Sequence, residues 1–446
     1  MSDAVLRSPD RSYAGLTRTV ADPVLERALP RGWWWAFLIG LALTAVMVGT
    51  MTWLFLQGIG IFGNNTSVVW GYPIANYVWW IGIGNAGTLI SCMLLLTRQK
   101  WRSSVNRFAE AMTLFAAAIA GLFPILHLGR PFYAYWLMPY PNTMGAWPQW
   151  KSPLVWDFFA ILSYLIFSIL FWYTGAIPDF ATLRDRAKTR GAQVAYGILA
   201  LGWRGSARHW AAYEKFYHTM GALGLPLVVS VHSVVGMDFA AGPMPGWAET
   251  IFPPYFVVGA MFSGFAMVVL LAVAVRGFLR DTGLVTMTHF DAMAKIILAG
   301  SVVMTLSYAT EAYQAWVAGD EADRTVAAFE FTGAYAAFYW AQIACNCLIP
   351  QAFWWPWARR SIPMLVFVAL AINVGMYLER ILLIINTLSR SHLPSQWKLY
   401  APTVWDWLLL SGSLGFFVFL FCLFLRFVPA VSMHEVRQLV PGGEGR

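Results

Sequence analysis

The sequence predicts an all-α integral membrane protein of ten transmembrane helices, and three observations carry that prediction. Of 446 residues, 59% are hydrophobic and only 12% charged, which leaves no polar stretch long enough for a separate soluble domain. Ten apolar runs reach the roughly 20 residues that a helix needs to cross the hydrocarbon core. Lysine and arginine concentrate in alternate connections between those runs, as they do in multi-pass proteins.

The runs lie near 33–55, 74–96, 108–127, 154–173, 217–237, 256–279, 293–316, 335–353, 362–388 and 404–425. A transmembrane barrel is excluded, because its strands need only about 10 residues and alternate polar with apolar. The first 31 residues are hydrophilic, with no short apolar core before a cleavage site, so the first run reads as a retained anchor. All four cysteines, Cys92, Cys345, Cys347 and Cys422, fall inside or beside apolar runs. That placement disfavours a disulfide framework, and no Cys motif for haem c or an iron-sulfur cluster occurs. A metal redox centre is therefore expected on a partner.

Orientation follows from the basic residues. One side receives the N-terminus, the connections around 98–107, 184–215, 276–280 and 359–360, and the C-terminus, together 23 of the 30 Lys and Arg. The other side receives Arg130, Lys151, Arg324, Arg380, Arg390 and Lys398, with Lys295 left inside the seventh run. Both termini are expected in the cytoplasm, with the chain in the inner (cytoplasmic) membrane. The formal charge of +8 then reads as topology and contact with anionic lipids. Nucleic acid is not an expected partner, since the basic residues are dispersed and no binding motif accompanies them.

With that orientation the third helix runs outward and ends in His127-Leu128-Gly129-Arg130-Pro131, the fourth starts on the outer side just before Asp157, and the fifth ends at Asp238. Three successive helices bring an imidazole, a guanidinium and two carboxylates to one depth. Charge there is expensive and is normally paired, faces a cavity or serves a pathway. The ordinary alternative is capping or pairing at headgroup level, which accounts for any one of these residues but less well for the set. The set suits a quinol, whose two hydroxyls need acceptors as it gives up protons. His127 and Asp157 are the expected acceptors, Asp238 an outward relay and Arg130 the charge that sets the local field. His232 lies six residues before Asp238, about 120° around the helix, and is a further candidate for the quinol pocket.

The seventh helix carries a second polar line: His289, Asp291 and Lys295 toward the inner side, Tyr308 and Glu311 toward the outer. With Gln342 and Asn346 on the next helix these are candidates for a proton path. A salt bridge between Asp291 and Lys295, four apart, plus interhelical hydrogen bonds is the structural alternative. A weak internal repeat accompanies them. Val235-Gly236-Met237-Asp238 closes the fifth helix, and Val374-Gly375-Met376-Tyr377-Leu378-Glu379 lies at the same end of the ninth. Gly84 and Gly87 on the second helix, and Gly259 and Gly264 on the sixth, are compatible packing faces. Helices two to five and six to nine are then two four-helix bundles in parallel repetition. The expected organisation is a cytoplasmic segment 1–32, a first helix and outer loop 33–73, a first bundle with the quinol site 74–238, a second bundle 239–388, and a closing region 389–446 with the tenth helix.

At these residues the chain resembles the NrfD type, the polysulfide reductase membrane subunit family, and most closely the larger quinol-binding membrane subunit of bacterial alternative complex III. The resemblance rests on the ten spans, His127 ending the third helix, Asp157 thirty residues later, Asp238 ending the fifth, and the long basic inner loop between the fourth and fifth. It implies two bundles, the first holding a quinol site on the outer side, with His127, Asp157 and Asp238 in the roles just given. It also implies an iron-sulfur subunit docked outside, haem c subunits beyond it and a second NrfD-like membrane subunit, in a respiratory or photosynthetic complex. The expected ligand is a quinol, menaquinol favoured, with proton translocation through the second bundle. The aromatic outer loops, 56–73 and 128–153 with Trp136, Trp147 and Trp150, fit a docking surface or an ordinary aromatic belt.

Three alternatives remain open on sequence. The first is an NrfD-type anchor of a molybdopterin and iron-sulfur reductase. The second is a haem b cytochrome using His218 and His232, fourteen apart on one helix. The third is a transporter, although transporter sites usually lie at mid-membrane on broken helices.

Overall fold

The computed structural model describes residues 12–26, 28–137, 150–280 and 283–440, and all regular elements among them are helical. In chain order these are α1 Tyr13–Leu25, α2 Arg31–Gln57, α3 Tyr72–Leu96, α4 Asn106–His127, α5 Pro153–Arg186, α6 Arg190–Leu199, α7 Ala207–Ala240 and α8 Phe252–Phe278. They continue with α9 Met287–Val317, α10 Glu321–Thr332, α11 Ala336–Ile343, α12 Ile362–Ile381, α13 Val404–Phe427 and α14 Met433–Arg437. Nine helices among the described residues are long and apolar enough to cross a membrane. Trp147, in the 128–153 loop, lies outside the described residues, and Trp150 is exposed.

The predicted eighth span, 335–353, is helical over 336–354 but changes helix type along its length. It is a short α11, a π turn over Ala344–Leu348 and a 3-10 stretch Ile349–Trp354. Pro350 lacks the N–H that a regular helix needs, and Ser301 Oγ donates to the Asn346 carbonyl at 2.6 Å. Composition measures apolar length and is blind to both. The preceding amphipathic α10, capped by Asp320 onto the Asp323 N–H at 2.9 Å, is a further element of that connection.

Close approach of small residues sets the packing. α3 is buried along nearly its whole length and lies between α4 on one side and α8 on the other. A Cβ added at Gly87 would stand 2.0 Å from the Ala109 carbonyl of α4, and one at Gly264 would stand 1.8 Å from Ala86 Cβ. Gly84, Gly87 and Gly264, read from sequence as packing positions, are thus close approaches between helices, whereas a Cβ at Gly259 would meet the Met376 side chain at 3.1 Å. α2 lies outside this group and packs on α13, where a Cβ on Gly415 would meet Leu43 Cβ at 2.1 Å.

α5 and α7, at 34 residues each, are about 50 Å long against a hydrocarbon core of about 30 Å. Both therefore project on the side rich in Lys and Arg, called here the basic side. α1 and α14 close this side together, with Arg426 Nη1 donating to the Val24 carbonyl at 2.6 Å and the Arg437 guanidinium donating to Thr17. The first and last helices thus share one side.

The basic side also hides charge that sequence counting places in loops. Arg102 and Arg107 are 7% and 2% exposed. Arg102 makes a bidentate pair with Glu435 of α14 and donates to Tyr217 Oη at 2.9 Å. Arg107 pairs with Asp179 at 2.9 Å and donates to the Gly175 carbonyl at 2.7 Å. Glu110 accepts from Ser91 Oγ at 2.5 Å and from Tyr217 Oη at 3.1 Å. These bonds meet the requirement that buried charges be paired.

Candidate functional site

Asp157 sits five residues into α5, Asp238 two residues before the end of α7, and Tyr77 near the start of α3. All three helix ends lie opposite the basic side. The Asp157 and Asp238 carboxyls adjoin one another and the Tyr77 hydroxyl, and both aspartates are 4% exposed. Asp157 Oδ1, Asp238 Oδ1 and Tyr77 Oη are buried without a hydrogen-bond partner. Such atoms are uncommon in folded proteins, and each asks for a ligand or an ordered water.

They face a cavity of about 20 Å³ walled by Trp70, Ile74, Val78, Pro124 and Phe239. That volume holds about one water, far less than a quinone ring. The polar atoms fit a dihydroxy ring chemically, as two carboxyl acceptors and a phenol. The volume fits only if the apolar wall moves aside.

His127 ends α4 one turn beyond Pro124 and is half-buried, but it is not one of the residues that line this cavity. Gly129 then turns the chain with φ +64°, and a Cβ there would meet the Ile59 backbone N at 2.9 Å. Arg130, the next residue, is exposed and lies outside the cavity lining. His232 is drawn away from the pair. Its Nδ1 bonds Asn85 Nδ2 at 2.7 Å, and its ring lies 6.0 Å from that of Phe256 on α8. His218, the other half of the haem pairing, is exposed and bonds the Glu214 carbonyl of its own helix at 2.9 Å. The two histidines therefore serve separate surroundings.

The second polar line divides in two. His289 caps its own helix through Thr286 at 3.0 Å. Asp291 is held by Lys295 at 2.7 Å and by Arg359 at 2.8 Å. Those three residues thus have structural partners at the basic end. At the opposite end Tyr308 donates to Glu379 Oε2 at 2.5 Å and accepts from Asn346 Nδ2 at 2.9 Å. Arg380 pairs with Glu379 at 3.0 Å and lies 4.2 Å over the Phe256 ring.

Tyr308, Glu311, Gln342 and Glu379 line a cavity of about 60 Å³ together with Glu249, Tyr255 and Glu330. Burial pushes the Glu330 carboxyl, on the connecting α10, up to about 7. Burial and then Asp323 raise that of Glu249. Gln342 is 4% exposed and its Oε1 has no partner.

Sequence reasoning missed Tyr77, Glu249, Tyr255, Glu330 and Arg380. Glu379 was visible only through the repeated Val-Gly-Met. That repeat has a structural counterpart, because Gly236 and Gly375 are both close-approach points: an added Cβ would meet Pro253 Cα at 2.8 Å and Asn346 Oδ1 at 2.3 Å respectively. The remaining residues carried no signal, since a tyrosine or glutamate at a span end is ordinary by itself.

Residues 60–390 match the family described as polysulphide reductase, NrfD. The chain belongs to this family. Among its curated relatives is a Halobacterium salinarum protein provisionally named as a membrane subunit of dimethyl sulfoxide reductase, 25% identical over 65% of this chain and 62% of its own length. Another, from Mesobacillus selenatarsenatis, is named as a subunit of selenate reductase and is 24% identical over 45% of this chain and 47% of its own. The chain thus spans less than two thirds of the relatives it matches. The family match covers α3 to α12 and so includes both polar clusters. It leaves out α2 and α13, the pair that packs outside the central helices.

Proposed function

We propose that this NrfD-family chain is the quinol-interacting membrane subunit of an oxidoreductase complex. The observation that carries the reading is the unpartnered set Asp157 Oδ1, Asp238 Oδ1 and Tyr77 Oη around one small cavity. A bound quinol supplies two electrons and two protons. Asp157 accepts a hydroxyl proton, Asp238 beside it takes the proton toward the nearby surface, and Tyr77 holds the ring oxygen by hydrogen bonding. His127, one turn beyond the Pro124 that lines the cavity, serves as the second acceptor. The apolar wall of Trp70, Val78 and Phe239 excludes water and offers a ring its faces.

Electrons leave to a partner, as the chain's sequence has no cofactor-ligating motif. The names of its relatives favour a reductase of the dimethyl sulfoxide or selenate type, and so the NrfD-type anchor reading, in which the partners are molybdopterin and iron-sulfur subunits. A second reading, the alternative complex III type with iron-sulfur and haem c partners and menaquinol as donor, draws on the resemblance carried by His127, Asp157 and Asp238. The basic-side census supports an inner-membrane location with cytoplasmic termini. The cavity of Glu311, Glu330, Gln342 and Glu379 is the part suited to proton movement in the second bundle.

The deciding experiment is Asp157→Asn in the complete complex, with quinol oxidation, bound quinone and co-purifying subunits all measured. Turnover should fall by roughly 10²-fold or more with assembly intact. Unchanged turnover in an assembled complex removes Asp157 from the mechanism. Molybdenum or haem c in the co-purifying proteins decides between the two assemblies.

A further inference from the structure

The connection between α5 and α7 holds a groove that the redox reading does not use. α6 is short and two-faced. On its inner face Gln193 Nε2 donates to the Ala187 carbonyl at 2.9 Å, and Tyr196 stacks on Phe180 with centroids 6.3 Å apart. On its outer face Val194 and Ile198, four apart, are 47% and 69% exposed, and Leu201, in the turn just past the helix, adds a third apolar side chain at 68% exposed.

Two tyrosines place this stripe at membrane level. Tyr196 Oη donates to the carbonyl of Phe427, the last residue of α13, at 3.0 Å, and Tyr173 of α5 donates to the Leu199 carbonyl at 2.7 Å. α6 therefore lies where the spanning helices end and not out in water. An apolar stripe at that depth belongs in the boundary between headgroups and acyl chains.

Directly beside it the Arg184 side chain passes Gly197, 3.6 Å from where a Cβ would stand. Its guanidinium is oriented by Asp185 at 2.8 Å and by the Trp203 carbonyl at 3.1 Å. Arg184 is shared by two depressions: an open one with Arg190 and Val194, and one of about 170 Å³ with Trp203 and Arg204. Between residues 184 and 208 there are six basic side chains and one acidic one, Asp185. Asp179, which also borders the second depression, is committed to Arg107 at 2.9 Å. Cationic depressions thus continue into an apolar stripe at the membrane boundary.

We propose that this groove binds an anionic phospholipid of the basic-side leaflet, its phosphate held by Arg184 and Arg204 and an acyl chain lying along Val194, Ile198 and Leu201. The excess of positive charge selects an anionic headgroup over a zwitterionic one. The stripe distinguishes a lipid from free phosphate, which has no use for it.

The test is lipid retention by the complete complex in mild detergent, titrated with phosphatidylglycerol or phosphatidylcholine and read by native mass spectrometry. The unmodified protein should retain phosphatidylglycerol in preference. R184Q/R204Q should lower that retention roughly tenfold, as should V194S/I198S, whereas Arg360→Gln elsewhere on the same side should not. Should R184Q/R204Q fail to assemble, Arg204→Gln alone with Arg204→Lys as the rescuing variant replaces it. Three outcomes overturn the proposal: equal retention by all variants, equal retention of the two lipids, or displacement by millimolar inorganic phosphate with no effect of V194S/I198S.

Discussion

Glu435 in the last helix grips Arg102 with both carboxylate oxygens, at 2.9 and 3.0 Å, across 333 residues of sequence. Asn106 Nδ2 donates to the same carboxylate at 3.1 Å, and Tyr217 Oη sits on the other edge of the guanidinium at 2.9 Å. The pair seals the basic end of α3, α4 and α7 and ties the last helix to them. Removing one partner of a buried pair leaves the other charge uncompensated, at about 3–5 kcal/mol. Glu435→Ala is therefore expected to lower the melting temperature of the detergent-solubilised protein, while Glu214→Ala on the exposed face of α7 leaves it in place. A melting curve unchanged by Glu435→Ala would count against the pair as a structural clamp.

Gly264 and Ala86 meet between α8 and α3, with room for no added Cβ on Gly264. Gly264→Ala should destabilise by about 1–3 kcal/mol through overpacking. Ala86→Gly in the same chain should restore part of the loss, because it removes the atom that collides. Thermal stability of the two single variants and the double variant gives the coupling; simple additivity would show that the helices do not meet there.

His232 bonds Asn85, apart from the Asp157 and Asp238 pair. His232→Gln is thus expected to leave quinol oxidation within about twofold once folded protein is normalised. The cost should fall on stability, at about 1–3 kcal/mol for an Asn85 amide left unsatisfied. Tyr77→Phe should behave in the opposite way, lowering turnover with little effect on stability, since its hydroxyl adjoins Asp157 without a well-formed hydrogen bond to lose. Steady-state kinetics beside melting curves separate the two.

The Glu330 carboxyl, raised by burial from 4.5 to about 7, makes a pH prediction of fixed sign. The folded chain binds this proton more tightly than the unfolded chain, so the contribution to stability is fully present below pH 4.5 and is lost as pH rises through about 7. Glu330→Gln, which stays neutral, should flatten that part of the stability profile. Melting temperatures of both proteins across this range check it, and parallel profiles would show that Glu330 keeps an ordinary carboxyl.

Much of the architecture was legible before any coordinates. Apolar run length marked nine continuous spans, and alternation of basic residues assigned their ends to sides, because both report position along a single axis, the membrane normal. The same axis placed Asp157 and Asp238 at one depth on helices that enter and leave at the same face. It also separated Tyr308 and Glu311 from Asp291 and Lys295 on one helix. The change from α to π to 3-10 geometry in the eighth span was not legible, because it goes with the Ser301 contact to Asn346 as well as with Pro350.

Only the tertiary structure decided which groups meet around that axis. Two residues toward the same end of their helices can face each other, as Asp157 and Asp238 do, or part, as His232 does toward Asn85. The difference is a rotation of each helix set by where backbones approach at Gly87, Gly236 and Gly264. Arg102 with Glu435, and Tyr308 with Glu379 and Asn346, are pairs of the same kind, joined across long stretches of chain. Hydrophobic partitioning acts on each segment separately and so is written in the local sequence. Close packing and the pairing of buried charge act between segments, and they come into being only when the helices are assembled.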